Sequence, residues 1–391
     1  LTPLSLTTMA IYLDNAATTW PKPESVYREV DNTLRFGGAN PGRGGHQLAL
    51  AASRLVFDAR EAVAELFGVR NEDRVAFTSS ATEAINVALF GILRPGDRVV
   101  TSSMEHNAVA RPLRVLQDRG VQVIKVSADR RGFVDPAAIR EACSEKTRMV
   151  VLSHCSNVTG TLQPIEAIGP WLRREGILFL VDAAQSAGIF SIDVEAMGID
   201  LLAAPGHKGL LGPQGTGFLY AREGLNPVPL IYGGTGGNSQ SDLPPEQMPE
   251  RLESGTLNTP GLAGLKAGID FIRKEGIAAI RARETELLEH LLCALRGIPE
   301  VELYGPLEPH LHGGAVSFNL AGRDPAEVGF LLDHEHGILC RVGLHCAPDA
   351  HRTIGTFPRG TVRVSPGYFN TLDEIEHLVA AVAALAAHPP A

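Results

Sequence analysis

Ile177-Leu178-Phe179-Leu180-Val181-Asp182-Ala183-Ala184-Gln185, followed by Leu201-Leu202-Ala203-Ala204-Pro205-Gly206-His207-Lys208-Gly209, is the stretch that decides the fold. The first run is an unbroken apolar strand ending in a carboxylate. The second ends in a lysine flanked by small residues. Unbroken apolar runs of this length mark strands covered on both faces. A lysine held in a glycine-rich turn just after a strand has little packing use. It makes sense as an amine that condenses with an aldehyde. An aspartate at the end of the preceding strand suits a ring nitrogen that must stay protonated. Singly, these residues read as a surface lysine and a strand-end cap; together they are the pair that pyridoxal phosphate requires.

Outward from this stretch, strand-length apolar runs alternate with helical patterns. Arg74-Val75-Ala76-Phe77-Thr78 precedes a helix starting near Thr82, and Arg98-Val99-Val100-Thr101 leads to Met104-Glu105-His106. A β-branched run covers residues 121–126, and Met149-Val150-Val151-Leu152-Ser153 leads to Asn157. The alternation predicts an α/β fold with a mostly parallel sheet covered on both faces. The polar residues gather just after the strands' carboxyl ends, where open α/β sheets bind ligands. Beyond residue 262 the pattern changes to amphipathic helices over 265–273 and 278–295, short strands over 314–320 and 361–365, and a terminal helix over 371–386. With 391 residues and 44% hydrophobic content, the chain exceeds what one core normally supports. The reading is a large domain over 26–261 and a smaller α+β domain over 262–391. An N-terminal segment, 10–25, is available to fold onto the smaller one.

Composition removes several classes of function. A net charge of −9 without any Lys/Arg run disfavours nucleic acid as a partner. No apolar stretch reaches the roughly 18 residues of a membrane span. Residues 1–8 lack the basic and apolar regions of a signal peptide, and Met9 reads as a natural start. Five cysteines without CxxC spacing make neither a disulfide framework nor a zinc site, so no metal is expected and the protein reads as cytoplasmic. No GxGxxG follows an early strand, which sets aside a dinucleotide-binding fold.

Tyr12-Leu13-Asp14-Asn15-Ala16-Ala17-Thr18-Thr19, Ser79-Ser80-Ala81-Thr82-Glu83, the Asp182 and Lys208 segments, and Arg363-Val364-Ser365 together carry a resemblance. Nearly end to end, the chain resembles the fold-type I, class V aminotransferase-like enzymes, and among them the cysteine desulfurase and selenocysteine lyase group. The resemblance implies that Lys208 binds the cofactor covalently and that Asp182 faces its pyridine nitrogen. It further implies phosphate contacts from Ala81, Thr82 and His207, and a ring-stacking, proton-moving role for His106. Asn157 and Gln185 would bond the ring's phenolic oxygen. Thr256 would reach the phosphate of a neighbouring subunit, which makes the expected state a homodimer. Arg363 would hold the substrate α-carboxylate, where a bidentate guanidinium is the natural choice. Pro205 departs from the family pattern, since many members carry a hydroxyl there and proline offers neither hydroxyl nor N–H. Asn15, Arg43 and His46 lie in segments that resemble borders of the site, and Arg341 is similarly suggestive.

Cys346, in Arg341-Val342-Gly343-Leu344-His345-Cys346-Ala347-Pro348, decides between reactions. Taking sulfur from cysteine as a persulfide needs a thiolate that travels to the substrate, and the sequence predicts a mobile loop here. The resemblance therefore implies conversion of L-cysteine to L-alanine with an enzyme persulfide passed to an acceptor protein, and L-selenocysteine as an alternative substrate. Two rivals share the fold: a C–S lyase that eliminates pyruvate from cysteine or cystine, and a non-catalytic sulfur carrier or scaffold.

Overall fold

The computed structural model describes residues 10–42, 44–235 and 240–387; residues 1–9 and Arg43 lie outside them. In chain order the first part comprises β1 (Ile11–Tyr12), α1 (Glu24–Phe36), α2 (Gln47–Leu66), β2 (Val75–Thr78), α3 (Ala81–Ile92), β3 (Arg98–Ser102), α4 (Asn107–Asp118) and β4 (Gln122–Val126). The central part adds α5 (Pro136–Ala142), β5 (Thr147–Ser153), α6 (Ile165–Arg174), β6 (Leu178–Asp182), β7 (Leu201–Pro205) and β8 (Gly217–Ala221). Then come α7 (Thr259–Glu275), α8 (Ile277–Arg296), β9 (Val301–Tyr304), β10 (Val316–Leu320) and α9 (Pro325–His336). The chain closes with β11 (Ile338–Leu339), β12 (Arg341–Gly343), α10 (Pro348–Ile354), β13 (Thr361–Val364) and α11 (Leu372–Ala387).

Seven strands form one sheet in the order β2-β8-β7-β6-β5-β3-β4. The ladders among β4, β3, β5, β6 and β7 are parallel, and β8 runs antiparallel to both β2 and β7. The strands β6, β7 and β8 are buried along their whole length, as expected where helices cover both faces. Alternation assigns their side chains. Val150, Leu152, Phe179, Val181 and Leu202 pack with residues of α2, α6 and α7 on one face. Met149, Val151, Leu178, Leu180 and Leu201 pack with residues of α3 and α4 on the other.

A second, antiparallel sheet has the order β12-β13-β10-β9, and α8, α9 and α11 supply the rest of its core. The N-terminal strand β1 pairs in parallel with β11, and Leu13 is buried in that same core. Residues 11–13 are thereby fixed against the C-terminal third of the chain. Among the described residues, no helix is long and apolar enough to cross a membrane.

Candidate active site

The carboxyl ends of β2, β3, β5, β6 and β7 lie along one edge of the large sheet, and each delivers one of the residues singled out above. Ala81, Thr82, His106, Asn157, Asp182, Gln185, His207, Lys208 and Arg363 all line one cavity of about 230 Å³. Residues 81 to 208 converge there because parallel strands expose the same end to the same side, and Arg363 joins them from β13 of the second sheet.

The Lys208 turn is shaped by close backbone packing. A Cβ on Gly206 would sit 2.1 Å from the Thr216 hydroxyl, and one on Gly209 would sit 2.4 Å from the Ala187 carbonyl. Only glycine fits at either position. Burial is the largest influence on the lysine and lowers its amine pKa to about 8. Asp182 and Asp14 pull it back up, while Arg363 and Arg341 press it further down. Asp182 is 4% exposed, and burial raises its carboxyl pKa against the Ala184 N–H, Lys208 and the Ser153 hydroxyl.

At the end of β2, the Ser80 hydroxyl accepts from the Glu83 N–H, and the Glu83 carboxylate in turn accepts from the N–H and hydroxyl of Ser79. This is a capping-box arrangement at the start of α3. Among the described residues, the N–H groups of Ala81 and Thr82 have no partner, so the cavity receives two free donors at the positive end of a helix. His106 caps α4 by accepting from the Ala108 N–H at Nδ1, 3.0 Å away. Burial first, then nearby cations, lowers its pKa to about 4, so the ring is neutral with its proton at Nε2. His207 is held through its carbonyl, which accepts from the Thr19 N–H, the Thr18 hydroxyl and the Lys22 ammonium. Its buried Nδ1 has no partner. Gln185 donates to the Ala16 carbonyl at 2.9 Å, and Asn157 donates to the His345 carbonyl at 2.6 Å.

Arg363 lies on β13 with 1% of its side chain exposed. Thr256 and Cys346 are exposed and do not line this cavity. The Cys346 Sγ lies 3.7 Å from an Nη of Arg341, which does line it. The predicted loop around Cys346 is corrected in one respect: α10 begins at Pro348, two residues past the thiol. Proline at the first helical position favours that start, and Ala347, Ala350 and Ile354 pack on Met104 and Val158. His345 and Cys346 take φ values of 47° and 58°, a left-handed turn that costs non-glycine residues energy. The turn is pinned by the Cys346 carbonyl, which accepts from the Asn107 N–H at 2.7 Å, and by His345 Nε2, 3.1 Å from the Thr361 hydroxyl.

The model for aminotransferase class-V proteins matches residues 11–378. The chain belongs to the aminotransferase class-V family. A probable cysteine desulfurase from Methanothermobacter thermautotrophicus is 41% identical over 374 residues, which is 94% of this chain and 92% of that protein. A probable cysteine desulfurase from Pyrococcus abyssi is 35% identical over 95% of this chain and 93% of its own length. Among solved structures, the apo cysteine desulfurase from Thermococcus onnurineus NA1 superposes with a TM-score of 0.91 at 33% identity, covering 96% of this chain and 94% of that one. The cysteine desulfurase CsdA from Escherichia coli gives a TM-score of 0.86 at 29% identity, over 95% of this chain and 94% of its own.

Class-V enzymes of this type are PLP-dependent, and the cavity suits that group by its own chemistry. It offers free helix-start amides and an orphaned His207 nitrogen for a phosphate, a buried carboxylate for a pyridine nitrogen, and a buried amine with a lowered pKa for an aldehyde.

Three further residues have a part in this geometry: Arg341 is suggestive already in the sequence, whereas Asp14 and Glu105 are not singled out there. Asp14 pairs with Arg363 from 349 positions away. Arg341 bridges Cys346 and the cavity. Glu105, inside the Met-Glu-His motif, is 3% exposed and bonded to Ser153 beside Asp182. The one sequence signal for Glu105 is a carboxylate placed just past an apolar strand.

Proposed function

We propose that this chain is a PLP-dependent cysteine desulfurase that converts L-cysteine to L-alanine and carries the sulfur as a persulfide on Cys346. The observation that carries the reading is the convergence of Lys208, Asp182 and Arg363 on one cavity, with the Cys346 thiol against Arg341 at its rim. The relatives at 41% and 35% identity named as probable cysteine desulfurases support it.

In this reading Ala81, Thr82 and His207 hold the cofactor phosphate, Asp182 its pyridine nitrogen, Asn157 and Gln185 its ring oxygen, and Lys208 its aldehyde carbon. His106, which lines the same cavity, would lie against the ring. When bound, PLP supplies an electron sink for the bond pair released at the substrate. Arg363 takes the substrate carboxylate through its planar fork. Lys208, whose pKa of about 8 lets its amine both accept and return a proton near neutral pH, moves the proton at the substrate Cα. Cys346 as thiolate attacks the substrate sulfur: an S–S bond forms, the Cβ–S bond breaks, and protonation of the carbon side yields the methyl group of alanine. Selenocysteine enters the same site, and an acceptor protein collects the persulfide sulfur.

Thr256, exposed on its own chain, serves the phosphate of the second subunit in a homodimer. Exposed apolar side chains on α1 and α2, including Leu34, Phe36, Leu48 and Leu50, support such an interface. The test is product analysis with PLP-loaded protein and L-cysteine, following alanine, pyruvate and sulfide together. Alanine matching the sulfur released is the expected outcome. Pyruvate in its place would make the chain a C–S lyase, and neither product would leave the scaffold reading.

A further inference from the structure

We propose that Glu105 is a positioning residue for Asp182: through the Ser153 hydroxyl it holds the shared proton of a two-carboxylate pair, leaving Asp182 as the charged member. This rests on the cofactor reading above and adds a residue to which that reading gives no role.

The geometry is a chain of side chains across three strand ends. Glu105 follows β3, Ser153 closes β5 and Asp182 closes β6, with β5 lying between the other two in the sheet. The Ser102 hydroxyl is 2.5 Å from Glu105 Oε1 and itself accepts from the Met104 N–H at 3.0 Å. The Ser153 N–H donates to Glu105 Oε2 at 2.9 Å, and the Ser153 Oγ lies 2.9 Å from that same oxygen. On its other side the Ser153 Oγ is 3.4 Å from Asp182 Oδ2.

One serine hydroxyl has one proton, and here it stands between two buried carboxyl groups. If both were ionised, the hydroxyl would serve only one, and two like charges would share a dry site. With a proton on Glu105 Oε2, which still accepts from the Ser153 N–H, every donor is used once. Met104 N–H donates to Ser102, Ser102 O–H to Oε1, Oε2–H to Ser153 Oγ, and Ser153 O–H to Asp182.

The surroundings decide which carboxyl keeps the proton. Asp182 feels the Lys208 ammonium, which favours its charge. Among the described residues, the charge that weighs on Glu105 is that of Asp182 itself. On Glu105's own loop, His106 is kept neutral by burial, and the facing β5 residue is the uncharged Ser153. Burial, with the Asp182 charge adding to it, raises the Glu105 pKa to about 7 against the two serine hydrogen bonds. Above that pH Glu105 ionises and draws the Ser153 O–H to itself, since its oxygen is nearer. Asp182 then loses a donor and gains a like charge, and its own ionised state becomes harder to hold.

The test compares PLP affinity of the apoprotein in wild type and Glu105→Gln across about pH 5.5 to 8.5. The glutamine amide donates to Ser153 as the protonated acid does, but cannot ionise. Taking the ratio of the two affinities cancels the titration of Lys208. The expected ratio is near one at the acid end and rises to roughly tenfold in favour of Gln at the alkaline end, one pK unit of coupling. A second readout uses the apoprotein alone. A carboxylic-acid infrared band should bleach with a midpoint near 7 and shift in frequency in Ser153→Ala. Normal PLP uptake with a flat ratio, or the absence at pH 6 of any acid band sensitive to Ser153→Ala, overturns the proposal. If wild type takes up no PLP at all, the cofactor reading fails and this inference falls with it.

Discussion

Asp14 and Arg363 form an ion pair with Nη2 and Oδ1 2.6 Å apart, joining the first strand segment of the chain to its last strand. Arg363 Nη1 donates to the Asn157 carbonyl at 3.0 Å, and its buried Nε has no partner. The guanidinium is thus neither a surface group nor free to swing. It is held in the cavity wall with one donor unsatisfied, which suits a group awaiting a carboxylate.

Two substitutions read this arrangement. Arg363→Lys keeps the charge but loses the fork, so KM for cysteine should rise at least about tenfold. Asp14→Asn leaves a buried cation with one anionic partner fewer, and unfolding stability should fall by about 2 kcal/mol, less than for a fully buried pair because Asp14 is 21% exposed. Added L-alanine, whose carboxylate restores a partner, should raise the melting temperature more in Asp14→Asn than in wild type. An equal shift in the two proteins would show that the site does not bind the carboxylate at Arg363.

Lys208 gives a pH prediction with a definite sign. Its folded pKa of about 8 lies below the usual 10.5, so protonation in the buried site costs stability, and folding stability should rise as pH climbs from about 8 towards 10.5. Condensation with an aldehyde needs the neutral amine. The rate of PLP uptake by apoprotein should therefore increase roughly 25-fold from pH 6.5 to 8.5 and level off above the lysine pKa of about 8. Asp182 raises that pKa, so Asp182→Asn should move the midpoint to lower pH while weakening retention of the cofactor. Borohydride reduction and peptide mass analysis should place the adduct on Lys208; an adduct elsewhere would remove the assignment.

What the sequence could carry follows from the kind of interaction involved. The apolar runs at 178–182 and 201–205 showed a strand buried on both faces because parallel pairing needs no special residue beyond hydrophobic continuity. The residues at the carboxyl ends of those strands were legible for the same reason. Asp14–Arg363 and Glu105–Ser153 were not, since each joins residues from separate elements and neither partner marks the other along the chain. Strand β8 illustrates a second limit: Gly217–Ala221 is as apolar as its neighbours, but its antiparallel direction is set by the short return from the lysine turn. The helix after Cys346 was hidden because seven residues give too few turns for a periodic signal, and contacts from outside it, the packing against Met104 and Val158 and the Thr353 hydroxyl's bond to Ser103, hold it.

A buried acid behind the lysine makes a separate stability prediction. Glu284 lines a small cavity together with Lys208, Gln185 and Asn15, and burial raises its pKa to about 7 against the attraction of Arg281. Between the ordinary 4.5 and about 7 the folded state binds the extra proton, so this group lowers stability as pH rises through that window. Glu284→Gln should match wild type near pH 4.5 and be more stable at pH 8, by up to about 3 kcal/mol. Denaturant unfolding at the two pH values measures this. A variant less stable than wild type at pH 8 would mean that the ionised carboxylate has a partner that stabilises it.

Cys346→Ala separates the enzyme classes. The left-handed turn at His345 and Cys346 is held by backbone and histidine contacts, the Asn107 N–H to the Cys346 carbonyl and His345 to Thr361, none of which uses the thiol. The variant should therefore keep its fold, take up PLP and bind cysteine, because Lys208, Asp182 and Arg363 are untouched. What it lacks is the acceptor for sulfur, so alanine formation from cysteine should fall at least about a hundredfold, the scale expected when a covalent nucleophile is removed. Selenocysteine should be cleaved with a smaller loss, since selenium leaves without a thiolate to receive it. Cys346→Ser, with a hydroxyl in the same turn, should behave like alanine, which distinguishes nucleophilicity from a merely structural role for the side chain. If Cys346→Ala releases alanine from cysteine at the wild-type rate, the persulfide assignment is wrong. If it releases pyruvate at that rate, the cavity belongs to an elimination enzyme and Arg341 holds a thiol with no part in the chemistry.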